Sequence, residues 1–149
     1  MTDEEARRRF AESRVARLAT ADADGRPHVV PMVFALASGR TAGETRSGDT
    51  VYSAVDVKPK RSTSLRRLAN IAANPRVAVL VDYYEDDWHA LWWVRADGTG
   101  RVLNADEPEG RDAIARLVAR YPQYREQSPR GPVVAIDVAR WSSWSAAGD

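Results

Sequence analysis

The sequence contains no cysteine, which removes any disulfide frame, thiolate nucleophile or cysteine-ligated metal. Its two histidines, His28 and His89, show no HxH or HxxxH spacing, so a histidine-built metal centre has no basis and no metal is expected. Lysine is almost missing: Lys58 and Lys60 are the only two, and arginine supplies every other side-chain cation. No apolar run approaches the roughly 20 residues that cross a bilayer, and the opening "MTDEEARRRF" carries no apolar signal segment. A cytoplasmic protein with no membrane partner is the expectation. Neither GxxxxGK[ST] nor GxGxxG occurs, so P-loop and Rossmann nucleotide sites are unsupported. A net charge of +1 is too small for a general polyanion binder.

What is present reads as one domain over residues 1–149, with 44% apolar and 29% charged residues. Thr2 or Asp3 can cap a helix over residues 3–12, with Ala6 and Phe10 on one face. Val15 to Thr20 alternates like a strand, "DADG" is a turn, and Pro27 to Leu36 returns as the second arm of a hairpin. Pro31 marks that arm as an edge or a bulge. Residues 38–49 read as a long hairpin loop, a lid if it closes over a site, and Thr50–Val55 as a third strand. A helix starting near Ser62–Ser64 should turn Leu65, Leu68, Ala69 and Ala72 inward and stop at Asn74-Pro75. Strands follow at Val77–Val81, Leu91–Ala96 and Arg101–Asn104, the last two separated by a "DGTG" turn. A second helix begins at Asp106–Pro108, with Ile114, Leu117, Val118 and Tyr121 as its stripe. After a polar loop, Val133–Val138 is the last strand, leaving residues 139–149 as a small polar tail and about 15–138 as the core. Six or seven short strands with helices at a few joints predict a mainly-β α+β class and a closed or nearly closed barrel.

Charge is segregated. From Asp56 to Asp82 the chain carries Lys58, Lys60, Arg61, Arg66, Arg67 and Arg76 with no acidic residue between the two aspartates, and "DYYEDDWH" follows. Three readings compete. A solvated helix face suits Arg66, Arg67 and Arg76. Nucleic-acid binding would want aromatics among the cations for stacking, whereas here they lie beside acidic groups. A discrete phosphate site would use Lys58, Lys60, Arg61, Ser62, Thr63 and Ser64, which gather compact cations and hydroxyls just ahead of a helix N-terminus. The phosphate site is the expectation.

The ordered set "RLATADADGRPHVVPMVFAL", "VYSAVDVKPKR", "NIAANPRVAVLVD" and "LWWVRADGTGRVL" resembles the pyridoxamine 5′-phosphate oxidase-like split β-barrel proteins over about Val15 to Val138. The likeness is to the flavin/deazaflavin oxidoreductases of actinobacterial type that use coenzyme F420. The resemblance implies a homodimer with cofactor sites at its interface. The ring would lie along Val30, Pro31, Met32 and Val33, with further contacts from Ser53, Ala54 and Val55. Lys58, Lys60 and Arg61 would hold the ribityl phosphate, and Trp92 and Arg95 would approach the partner's site. Pyridoxamine phosphate oxidases proper grip substrate phosphate with a C-terminal arginine and histidine; "VARWSSWSAAGD" lacks that pair, so this activity is not expected.

The expected function is hydride transfer from reduced F420 to a small or medium-sized conjugated acceptor. The alternatives are an FMN-dependent oxidase or reductase, and a non-catalytic carrier of F420, FMN or haem. His28, on the ring-facing arm, is the candidate proton donor, with Tyr52 and Tyr83 no better placed and solvent able to serve instead. Tyr83, Tyr84, Trp88, Trp92 and Trp93 are expected in the core and dimer interface, with Trp88 the pocket-lining candidate.

Overall fold

Thr2 accepts a hydrogen bond from Glu5 N–H at 3.1 Å and opens helix α1, Asp3–Glu12. Three acidic residues in its first turn and Arg9 in its last suit the helix dipole. The computed structural model describes residues 1–39, 48–55 and 62–148. Strands β1 (Ala16–Ala21), β2 (Pro27–Met32), β3 (Ala35–Ala37) and β4 (Thr50–Ala54) lead to helix α2 (Ser62–Ala73). Then come β5 (Arg76–Tyr83), a 3-10 turn (Trp88–Ala90), β6 (Trp92–Leu103), α3 (Pro108–Arg120), α4 (Gln123–Glu126) and β7 (Val133–Ser145).

The strands form one seven-stranded sheet in the order β2-β1-β5-β6-β7-β4-β3, every neighbouring pair antiparallel. Its two edges are consecutive in the chain, with only Val33 and Phe34 between β2 and β3. So short a link spans at most about 11 Å, so the sheet must curl until its edges approach. The result is the expected mainly-β split barrel.

The second hairpin arm is therefore not one strand. At its corner Phe34 N–H donates to the Tyr121 hydroxyl at 3.1 Å, and Phe34 C=O accepts from Arg120 Nη1 at 2.7 Å. Side chains at the end of α3 and just beyond it thus satisfy backbone groups that a continuous strand would have paired. Ser53 Oγ donates to Val33 C=O at 2.8 Å and ties the same corner to β4.

Leu18, Val51, Val79, Val94 and Ile136 fill the barrel, and Phe10 enters from α1 against Phe34 and Trp141 at centroid distances of 5.0 and 4.9 Å. Tyr52 and Ala54 alternate to the other side of β4, where they share clusters with Ala113, Leu117 and Tyr121 of and beyond α3. β4 is consequently buried on both faces.

Further elements differ from the sequence reading. "DGTG" is not a turn: β6 runs through it, with Asp97 opposite Arg140 and Gly98 opposite Val138, so Ala139 is the extra residue of a bulge. A Cβ on Gly98 would stand 2.2 Å from Asp137 C=O, so this glycine serves a close strand approach. The segment expected as a tail continues β7 to Ser145, paired with Trp92, because Trp141 reaches the core. Helix α2 has its predicted limits but another inward face: Leu68, Asn70 and Ile71 turn in while Ala69 and Ala72 face water. Gly100 explains the phase, since a Cβ there would lie 3.2 Å from Ile71 Cγ2 and deny Ile71 its seat. In α3 and at its C-cap, Ala113, Leu117 and Tyr121 take the deepest positions, with Ile114 and Val118 half-buried. The polar loop after α3 contains α4, and residues 40–47 of the expected lid lie outside the described residues.

Candidate functional site

Alternation along β2 decides what each candidate can touch. Val30 and Met32 pack into the barrel cluster, whereas Pro31, opposite Arg17 on the edge strand, faces outward and exposed. Val33 and Ala54 turn toward Leu117, Tyr121 and Tyr124; Val55 returns to the barrel, and Ser53 is buried on its bond to Val33. Trp92 packs at the barrel cluster under the Arg9 guanidinium, 5.3 Å from its ring. Arg95, three positions on, lies on the opposite face of β6 in an open groove of about 350 Å³ with Leu80, Asp82, Tyr84 and Trp93. The two residues cannot meet one ligand from the same side of the strand. Lys58, Lys60 and Arg61 lie outside the described residues.

Beyond Ala54, a cleft of about 600 Å³ runs between the end of β4, α4 and the 127–131 segment, lined by Gln123, Tyr124, Gln127, Ser128 and Arg130 among others. Its size suits a small-molecule site. Sequence reading missed it because its walls come from a segment with no apolar periodicity.

The most informative side chain is Arg67. Read as a solvated cation, it is half-buried on the sheet side of α2, and its Nε is enclosed without a hydrogen-bond partner. Burial pushes its ionisation below the ordinary arginine range, and no carboxylate among the described residues opposes that shift. Three residues on, Asn70 donates from Nδ2 to Thr20 Oγ1 at 3.0 Å, a pair sealed at 6% and 5% exposure. Thr20 stands opposite His28, whose Nδ1 is likewise enclosed and unpartnered. Arg66, by contrast, is exposed, as is Arg76. The signal that could have found Arg67 is the second three-residue spacing, Leu68 and Ile71, which competes with the alanine stripe.

The tyrosines separate. Tyr52 points to the α3 side and donates to Glu109 Oε2 at 2.7 Å; Arg101 bridges Glu109 and Asp137 with bonds of 2.7–2.9 Å. Burial first, then the Glu109 bond, push the Tyr52 phenol up to about 12. A phenol so held is a poor proton donor. Because the folded state retains this proton more tightly than the unfolded chain, its contribution to stability is complete below pH 10 and lost as pH rises through about 12. Urea titrations across that window should show the decline in the native protein and a reduced decline in Tyr52→Phe. Tyr83 is hydrogen-bonded to Glu85, and with Tyr84 and Trp88 it is exposed at 44%, 64% and 76%, so these three are not core. Among the described residues, no group of three His, Asp or Glu side chains could hold a metal, and no helix is long and apolar enough to cross a membrane.

The family pattern of pyridoxamine 5′-phosphate oxidase matches residues 2–145. The chain belongs to that family. The match takes in α1 and all of β7; α1 and residues 139–145 lie outside the span of the resemblance. An FAD-binding protein from Mesorhizobium loti superposes with a TM-score of 0.69 at 21% identity, over 96% of this chain and 92% of that one. HutZ, the haem storage protein of Vibrio cholerae, gives 0.65 at 18%, covering 96% and 93%. The FAD-binding protein of Mycobacterium smegmatis gives 0.59 at 15%, covering 97% and 95%. These likenesses establish the shared fold of the pyridoxamine 5′-phosphate oxidase family. Comparison with curated proteins gave no match.

Proposed function

We propose that this protein is an oxidoreductase that binds reduced coenzyme F420, or FMN as the alternative, and serves hydride transfer to a small or medium-sized conjugated acceptor. The observation that carries the reading is Arg67: a half-buried guanidinium with an unpartnered Nε and no opposing carboxylate among the described residues, six residues into the helix that follows the basic segment. An uncompensated buried cation is costly, and an anionic ligand offsets that cost. The enclosed Nδ1 of His28 is a second polar atom in want of a partner. These residues fit a phosphorylated cofactor.

On this reading Lys58, Lys60 and Arg61 join Arg67 around the phosphate. Val30, Pro31, Met32, Val33, Ser53, Ala54 and Val55 are the expected ring-side positions, and the cleft beyond Ala54 offers room for an acceptor. The bound cofactor supplies the two-electron chemistry; the chain's residues orient it, exclude water and complement its charge. The arginines near the basic segment suit the glutamate-bearing tail of F420 better than they suit a shorter flavin, which is the reason for preferring F420.

A second copy is the expected partner. Val29, Pro31, Leu80, Trp93 and Trp144 alternate onto the outer face of the sheet, where Val29 and Trp144 remain 62% and 44% exposed. That face also holds the Arg95 groove, so a homodimer through it would bring Arg95 toward the partner. A cytoplasmic location stays the expectation.

Side-by-side equilibrium titration with F420 and FMN, followed by absorbance and fluorescence, tests the assignment. Saturable binding of one chromophore, followed by acceptor-dependent oxidation of its reduced form, is the expected result. Binding without turnover would make the protein a carrier; a Soret band and no flavin or deazaflavin binding would replace the reading with haem. Sedimentation during the same titration should show a dimer, and a monomer with full affinity would remove the interface.

A further inference from the structure

We propose that His28 is a positioning residue for the anion, its Nδ1–H acting with Arg67 Nε–H as a two-sided clamp on one oxyanion of the cofactor. The inference rests on the phosphorylated-cofactor reading and adds to it a residue that sequence could offer only as a proton donor.

Residues directly opposite on an antiparallel pair turn their side chains to the same side of the sheet. Thr20 and His28 are such a pair, and Thr20 meets Asn70 of α2 at 3.0 Å, so His28 faces the helix as well. Arg67 precedes Asn70 by three residues and shares its side of the helix. One seam between α2 and the β1–β2 hairpin therefore carries both enclosed nitrogens, His28 Nδ1 and Arg67 Nε. Enclosed polar atoms without partners are rare in folded proteins and call for a ligand or an ordered water.

Asp22, at the turn of the same hairpin, is already committed. Asp22 accepts from the N–H groups of Asp24 and Arg26 at 2.9 Å each and lies 3.6 Å from Arg26 Nη1. Arg7 Nε, the third enclosed nitrogen, differs: it stands 2.9 Å from the Asp49 carboxylate, so its charge is answered within the chain. Among the described residues Arg67 has no such answer. An oxyanion accepts from both donors at once, and it selects the histidine tautomer that carries the proton on Nδ1. Held in this way, His28 orients the anion and is not free to shuttle a proton to a substrate.

The test compares each chromophore with and without its phosphate: FMN against riboflavin, and F420 against the phosphate-free deazaflavin. Native protein, His28→Leu, His28→Asn and Arg67→Met are titrated in parallel. His28→Leu should weaken the phosphorylated ligand by about ten- to a hundredfold, the range of a charge-assisted hydrogen bond, and leave the phosphate-free ligand unchanged. His28→Asn, whose amide nitrogen can stand near Nδ1, should recover most of the loss. The Nδ1 resonance of His28 should shift with the phosphorylated ligand alone, a change that a purely structural histidine would not show. Equal losses for both ligand forms, or no loss, would overturn the clamp while leaving the cofactor reading intact. A native protein indifferent to the phosphate would overturn both.

Discussion

Asp49→Ala is expected to lower the stability of the barrel by about 3 kcal/mol, near the lower end for breaking a buried ion pair. Asp49 is 6% exposed and accepts from Arg7 Nη2 at 3.0 Å, Trp141 Nε1 at 2.9 Å and Gly39 N–H at 3.2 Å. It thus links α1, β7 and the start of β4 through one carboxylate. Its loss strands an indole and a backbone N–H, each a desolvated donor. Arg7 limits the damage, because its side chain is 40% exposed and can turn to water. Urea unfolding measures the effect. The double variant Arg7→Met, Asp49→Ala should be less destabilised than the sum of the single variants, since removing both charges leaves neither uncompensated. Strict additivity would show that the pair contributes nothing beyond its separate contacts.

Replacing Lys58 and Lys60 together by alanine should weaken cofactor binding by about 2–4 kcal/mol, taking roughly 1.5–3 kcal/mol for each charge-assisted contact with some overlap. The measurement is equilibrium titration by chromophore absorbance or fluorescence, with thermal unfolding as the control for folding. Phosphate-free ligands should bind the double variant as they bind the native chain. Undiminished affinity for the phosphorylated ligand would take the two lysines out of the anion site and leave it to Arg61, Arg67 and His28.

How far the chain could be read follows from how local each cause is. The Thr2 cap, the turn at "DADG", the stop at Asn74-Pro75 and the start at Pro108 depend on residues within a turn of one another, and each stands where it was expected. Pro31 was legible as an edge residue because a missing N–H has few other places in a sheet. The errors have the opposite character. "DGTG" has turn composition, yet Gly98 is needed by Asp137, some forty residues away, where its absent side chain admits another strand. Trp141 looked like an isolated aromatic in a polar tail until Phe10, from the other end of the chain, supplied its partner.

The candidate site divides along the same line. Its apolar positions on β2 and β4 were nameable, but which of them look into the barrel and which look out depended on sheet curvature and on the break at Val33–Phe34. Trp92 and Arg95 were named together, and strand alternation places them on opposite faces.

Sequence by itself determined the places of α1, α2, α3 and the first hairpin turn, the absence of cysteine chemistry and the gathering of cations ahead of α2, because these are properties of composition and near neighbours. Tertiary structure alone decided the rotation of α2. Ile71 takes the space that Gly100 leaves open, Asn70 meets Thr20, and Arg67 is thereby carried from the solvent side toward the sheet, its Nε enclosed. A helix offers two competing apolar stripes with little local difference between them, and only the shape of the surface beneath selects one.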